Sequence, residues 1–551
     1  MKKGAIKQLV IWGLIIVLMG IPTFGAETFP KIEVERANLT FQQMKYEHME
    51  YKDIEMLLDK AKAIVERGDE RAFYAWEKEY YNEYYRLQTM IQIAHLSYEL
   101  NTDRTDYFEE YLYSVELLGK MKTGYIELFE EGDGLYSKEM QAYYELSIER
   151  NKLVDVYYNQ EDSISVMVDG IEMNITQILT STTLSTEKKR QYYDEWYTAY
   201  NEAAGEIFLK LVNIDNQIAA LLGYDSYAAY MYDSYERDYT LEESKVFIQN
   251  VKQVVPKVFK KLYSKGISAA YNLQAYSYED EEKLLSSIEE HFISEYQVLE
   301  EAYNYLIKYN LYDISTRDNK VSGGLTIYFD SFQEPFILIN YNSPYETALT
   351  FIHEFGHYFS YFQTGNHEGG LDLDETYSQA MELLAMPYYG AILGDEKLGK
   401  EAHVYIVDGL IAAIIEGCLY EEFLQQVYEN PNRTVQELNE LYTKLASEYG
   451  VEGDGRSWCE VPHNYEMPFY YLSYSVSAVA ALEVWEQSLI DQEIGMQTYL
   501  NLIEAARDNS FLEALEEVGL SNPLEKETLE EVMKSVETYF DFNAGDHNKA
   551  A

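Results

Sequence analysis

The chain has two cysteines, Cys418 and Cys459, in 551 residues. No disulfide framework can be built from them, so stability must come from a buried core, and one bond between the two or a pair of buried thiols are both open. Basic residues are scarce, 43 Lys and Arg against 95 Asp and Glu, for a formal charge of -52. Such a surface repels phosphate backbones and anionic membranes, which excludes nucleic acid as a partner and suits a soluble protein with a solvated acidic surface. From Ile32 to about Lys188 glycines are few and prolines almost absent. No fixed-period repeat is present. Long apolar runs are missing after the N-terminus, so no further stretch approaches transmembrane length and no stable span is expected. No cysteine adjoins the one apolar run to accept a lipid.

That run, Leu9 to Ile21, follows Lys2, Lys3 and Lys7 and precedes the small residues leading to Ala26. It is shorter than the roughly 20 residues a spanning helix needs. We read 1–26 as a secretory signal peptide, with an uncleaved anchor as the alternative, and the protein as secreted or held at the cell surface. Apolar residues amount to 47% of the chain, which describes a globular protein.

Residues 27–185 read as successive helices, with breaks at Arg67-Gly68-Asp69, Asn101-Thr102-Asp103, Glu131-Gly132-Asp133-Gly134 and Val168-Asp169-Gly170. Tyrosine is one residue in ten. Stripes such as Tyr80, Tyr81, Tyr84 and Tyr85 read as core contacts, while His48 and His95 carry no chemistry. Residues 186–551 form a second unit. It is again helical, with one long helix from Leu241 through Lys265, two short strands between Val321 and Tyr341, helices resuming beyond Gly390, and a frayed tail from Asp541. The strands would make a small sheet that either braces the next helix or offers an edge to an extended peptide. The fold class is therefore mainly α with a small β-sheet beside the site.

The helix after the strands, Ser343 to Gly365, has Ser343 as cap, Pro344 at the first position, Glu346 completing a capping box, and Gly365 as a stop. It carries His353, Glu354 and His357 as HExxH. Residues four apart share a helix face, so both imidazoles can reach one ion and Glu354 a water on it. Zinc takes three protein ligands and keeps an open position. A second helix from Asp374, ended by Pro387, places Glu375, Ser378 and Glu382 on one face. Glu375 is the expected third ligand, and Glu382 the acceptor for a ligand imidazole N–H.

HEFGH followed by ETYSQAME resembles the thimet oligopeptidase and oligoendopeptidase F family of zinc peptidases, whose pattern is HExGH and then ExxSxxxE. PFILINY upstream and the segment Val461 to Tyr474 extend the likeness over about Leu221 to Leu524. The resemblance implies one zinc per chain on His353, His357 and Glu375, with Glu354 as general base. It implies that His463 and Tyr474 steady the transition state, with Tyr470 or Tyr471 contacting substrate. It also implies a two-lobed helical molecule around a deep channel that admits short unfolded peptides. Glu375 lies 18 positions beyond His357, fewer than in many members, and Glu382 stands as the alternative ligand. An exopeptidase such as a dipeptidyl carboxypeptidase, or an inactive extracellular binding protein, are the alternatives in function. His367 and His403 read as surface or structural.

Overall fold

The computed structural model describes residues 36–44, 49–65, 67, 70–100, 110–111, 113–121, 124, 136–317, 320–329, 331–365 and 370–546. The expected leader, the breaks near 101–103 and 131–134, His48, His367 and the last residues of the expected tail lie outside these, as does the side chain of His95. The described chain is mainly helical, with two small sheets.

The first helices are α1 (Tyr51–Val65), α2 (Glu70–Leu100) and α3 (Tyr136–Ser163). Ile54, Leu57 and Ala61 of α1 meet Trp76, Tyr80, Tyr84 and Leu87 of α2 in a core of their own. The tyrosine stripe divides by helix face: Tyr80 and Tyr84, four apart, are buried, whereas Tyr85 is 47% exposed. The break at Val168-Asp169-Gly170 is not a gap between helices. It is the turn of a hairpin, β1 (Ser165–Val168) against β2 (Ile171–Asn174), because Asp169 and Gly170 both take positive φ, as a two-residue hairpin turn requires.

Helix α4 (Thr186–Leu221) follows, capped by Ser185. The single helix expected from Leu241 is instead two, α5 (Leu241–Val254) and α6 (Pro256–Leu273). Pro256 has no N–H to continue the first and suits the first turn of the second. The sheet beside the site has three strands. β4 (Gly323–Phe329) pairs antiparallel with β5 (Glu334–Asn340), and β3 (Tyr312–Asp313), too short to read from sequence, lies parallel on the other side of β5. β5 is central and buried throughout, and β4 is an edge strand.

From β5 the chain enters α7 (Pro344–Thr364), the HExxH helix. Ser343 is its cap residue and Gly365, at φ 79°, its stop, but Ser343 makes no side-chain cap bond and the expected capping box does not form. Pro344 removes one orphan N–H, and the Ser343 carbonyl accepts the first intrahelical bond from the Thr347 amide. Helix α8 (Leu371–Leu384) begins three residues before the expected Asp374 and ends ahead of Pro387. Helix α9 (Glu396–Glu429) is long and apolar enough to cross a membrane, contrary to the sequence reading. Its apolar residues, among them Val407, Ile411, Ile414 and Ile415, are buried in the main core instead. It packs between α6 and α10 (Tyr471–Ile490). The last helix, α11 (Lys526–Asp546), carries helical backbone through the start of the expected tail. Cys418 and Cys459 are buried free thiols, and burial pushes the Cys459 thiol up to about 12.

Helices α7 and α8 touch at Gly356. A Cβ there would stand 2.7 Å from Ser378 Cα and 2.8 Å from the Tyr377 carbonyl oxygen, inside backbone atoms that cannot swing away. Gly356→Ala is expected to separate the helices and cost about 1–3 kcal/mol, read as a lowered midpoint in denaturant together with weakened metal uptake.

Candidate metal centre and active site

His353 and His357, one turn apart on α7, turn their rings the same way, with centroids 5.1 Å apart. Glu375 comes up between them from the first turns of α8. Its Oε2 lies 3.9 Å from Nε2 of His353 and 3.9 Å from Nε2 of His357. One donor atom from each of the three residues falls within 4.8 Å of the others. Donors sharing a tetrahedral zinc stand about 3.4 Å apart, so this spacing is close to that of a common ion. Two imidazoles and a carboxylate are also the ligand set of a hydrolytic zinc with an open position.

Glu382, the alternative third ligand, points elsewhere. Its Oε1 is 2.6 Å from Nδ1 of His353. A carboxylate only accepts, so Nδ1 carries the proton and Nε2 is left with its lone pair toward Glu375. Glu375 itself is held on both oxygens. Tyr470 donates to Oε1 at 3.2 Å, and Ser378 donates to the Glu375 carbonyl at 3.0 Å and reaches Oε2 at 3.4 Å.

The electrostatics favour a cation. Burial alone would lower the His353 pKa, but the bond to Glu382 and the charges of Glu382, Glu354 and Glu375 outweigh it and push it up to about 9. Carboxylates that draw a proton onto His353 would equally stabilise a divalent ion between them. Burial pushes Glu375 up to about 7, against the opposing charge of His353. The Glu375 side chain is 9% exposed and that of His353 25%, so the cluster is shielded but open on the histidine side.

Glu354 is buried, and burial raises its pKa against the charge of His353 and a bond from Thr326. The Thr326 hydroxyl donates to Glu354 Oε2 at 2.7 Å. Thr326 sits on the edge strand β4, two residues after Gly324, where an added Cβ would come 2.6 Å from Glu354 Oε1 and 2.4 Å from Thr350 Cγ2. Strand and helix thus approach across a missing side chain, and a hydroxyl from the strand fixes the carboxylate. Neither Gly324 nor Thr326 was among the residues singled out in the sequence. The Gly323-Gly324 pair was the available signal, since glycine in a strand marks close approach of another group.

The segment after Val461 supplies aromatic groups beside Glu375. The His463 ring stacks on Tyr470 at 5.2 Å and meets the Tyr471 ring edge-on at the same distance. Tyr474 packs edge-on against both Tyr470, at 5.3 Å, and Tyr471, at 5.4 Å. Burial and the charge of Glu375 hold the Tyr474 hydroxyl protonated far above neutrality. Burial pushes His463 down to about 4, so it is neutral under ordinary conditions. All four residues therefore form one aromatic cluster, which meets Glu375 through Tyr470 and Tyr474. The Tyr470 hydroxyl is engaged on Glu375, whereas Tyr471 turns toward Tyr420, 5.0 Å away between rings. His403 lies apart, bonded to the Met386 carbonyl and to Tyr539.

Comparison with known proteins matches residues 230–534 to the model of peptidase family M3. Oligopeptidase PepF of Bacillus subtilis (strain 168) is 23% identical over 202 residues, a match that spans 34% of this chain and 30% of that relative. Among solved structures, PZ peptidase A with inhibitor 2 superposes with a TM-score of 0.70 at 19% identity, over 91% of this chain and 99% of that one. Oligoendopeptidase-F from Enterococcus faecium gives 0.56 at 14% identity, over 91% and 98%. The fold is thus shared along nearly the whole chain, beyond the span in which the sequences resemble one another.

Two outcomes follow from this geometry. Glu375→Ala is expected to lose the metal, whereas Glu382→Gln keeps the stoichiometry but binds about 10–100-fold more weakly, both read by metal analysis and chelator competition. The second concerns His463, which burial holds at a pKa of about 4 in the folded chain, below the ordinary imidazole value of 6.5. Above 6.5 neither state is protonated and there is no penalty. As pH falls toward 4 the unfolded chain takes up a proton that the folded chain refuses, and stability is lost. Denaturant titrations across that window should show a shallower decline for His463→Gln.

Proposed function

The chain belongs to peptidase family M3, and from that premise we propose that it is a zinc-dependent endopeptidase that cuts short unfolded peptides. One observation carries the proposal. Two imidazole Nε2 atoms share a single Glu375 oxygen, and a fixed, buried Glu354 follows directly on the first of those histidines in the helix. One zinc per chain would be held by His353, His357 and Glu375, with Glu382 orienting His353. When bound, zinc polarises the scissile carbonyl and brings the pKa of a water down toward neutrality.

The remaining work is done by side chains. Glu354 accepts the proton of the attacking water and later delivers it to the leaving amine. Burial raises its pKa above the ordinary carboxylate value, which makes it a stronger base for that proton. The Thr326 hydroxyl occupies Oε2 and leaves Oε1 for that exchange. Negative charge developing on the carbonyl oxygen needs donors placed in advance. Tyr474, protonated and close enough to feel the charge of Glu375, and His463, neutral and able to donate one N–H, would serve that task. Tyr470 steadies Glu375, and Tyr471 lines the approach with Tyr474. The strand β4 carries Thr326 and lies at the edge of its sheet, where the main chain of an extended peptide could add alongside its first residues. A two-lobed molecule with the site in a deep channel accounts for a preference for short unfolded chains. The basic residues before Leu9, the apolar run to Ile21 and the small residues to Ala26 support export, so the peptides would be extracellular or at the cell surface.

Glu354→Gln should keep its zinc and lose about 10²–10⁴-fold in kcat/KM. An internally quenched peptide blocked at both ends should be cleaved by the native enzyme. A blocked peptide left intact beside a cleaved free-ended one would identify an exopeptidase instead.

A further inference from the structure

The segment His463–Tyr474 has little regular structure of its own. A single turn, His463–Glu466, is followed by Met467, Pro468, Phe469 and Tyr470 before α10 begins. Phe469 sits at φ 70°, a left-handed conformation that a bulky side chain rarely adopts unaided. Groups from outside hold it there. Arg150 Nη2 donates to the carbonyls of Tyr465, at 3.0 Å, and Glu466, at 3.2 Å. The Tyr235 hydroxyl donates to the Pro468 carbonyl at 3.1 Å. Arg237 Nη2 donates to the Phe469 carbonyl at 2.7 Å and to Ser473 Oγ at 3.1 Å. Two guanidinium groups thus grip the backbone at Tyr465, Glu466 and Phe469, and Arg237 also holds the Ser473 side chain just ahead of Tyr474.

Both arginines are themselves fixed. Arg150 pairs through Nε with Asp215 Oδ1 at 2.7 Å, with side chains 6% and 0% exposed, and Asp215 Oδ2 accepts from Tyr428 at 2.7 Å. The Arg237 guanidinium lies over three rings, Tyr232 at 4.5 Å, Tyr235 at 5.3 Å and Tyr239 at 5.8 Å. A planar guanidinium held this way presents its N–H groups in fixed directions, which a lysine ammonium on a flexible stem does not. Arg150 belongs to α3, outside the part of the chain that matches the family model.

We propose that Arg150 and Arg237 are positioning residues for peptide hydrolysis: they clamp the backbone of the His463–Tyr474 segment and thereby set His463, Tyr470 and Tyr474 against Glu375. The proposal rests on the reading of that segment as the source of transition-state contacts. It assigns a part in the chemistry to a helix of the N-terminal region, where the sequence alone offers none.

Arg150→Lys and Arg237→Lys, made in the full chain, test it by two readouts beside zinc content. Backbone amide hydrogen exchange, followed on the peptides covering 463–474, should quicken in that segment while those of α7 and α8 exchange as before. On a quenched peptide kcat should fall about 10- to 100-fold, with KM little changed and zinc stoichiometry intact. Native exchange rates in the segment overturn the clamp, whatever happens to kcat. Faster exchange with undiminished kcat overturns the premise about the segment instead, and Tyr474→Phe, which leaves the clamp untouched, then retains full kcat as well. Ser473→Ala, which deletes one contact of Arg237, gives the same readings in smaller measure should a lysine variant fail to fold.

Discussion

The active site depends on one contact, the approach of α7 and α8 at Gly356, where no side chain separates the two backbones. Had the helices stood a methyl group further apart, Glu375 would no longer reach both imidazoles, and Glu382 would no longer meet His353 at 2.6 Å. The second glycine, Gly324, does for strand and helix what Gly356 does for helix and helix. The site is thus a junction of three elements brought to less than ordinary packing distance. Its functional groups stand on regular structure, where rotamers are held by neighbours.

Acid dominates the protein at every scale, but it acts differently on the surface and at the centre. Exposed carboxylates are solvated and worth little individually. Glu354 and Glu375 have lost that solvation, and each is compensated by a specific donor, Thr326 for one and Tyr470 for the other. Burial raises both pKa values, and the charge of His353 counters it. A cation at the centre would complete a balance that the polypeptide leaves negative.

Much of this was legible in the sequence because it is local. HExxH on a capped helix, and Glu375 and Glu382 seven residues apart on the next, are statements about helical period, and period survives folding. Register alone put both glutamates on one face of α8 and left either as the third ligand; the approach of Glu375 to both Nε2 atoms and of Glu382 to Nδ1 is visible only in the fold. What failed was local in detail or long-range in cause. The capping box at Ser343 has the right letters, yet the Ser343 side chain makes no cap bond. The hairpin at Asp169-Gly170 had a turn signal, but its strands are too short to show alternation. The apolar helix α9 and the two-residue strand β3 are defined by what packs around them. Thr326, Arg150 and Arg237 leave no periodic or motif signature, since their partners lie far away in the chain.

The bonds from Arg150 to Tyr465 and Glu466 join positions 315 and 316 residues apart. A polypeptide made from its N-terminus exposes the arginine long before the ribosome reaches the carbonyls it will bind, and closing a loop of that length is slow compared with helix formation. The two histidines and Glu375 can be in place while the last third of the enzyme is still being synthesised. On the reading that the His463–Tyr474 segment supplies the transition-state contacts, the metal ligands are made first and the docking of that segment on Arg150 follows them.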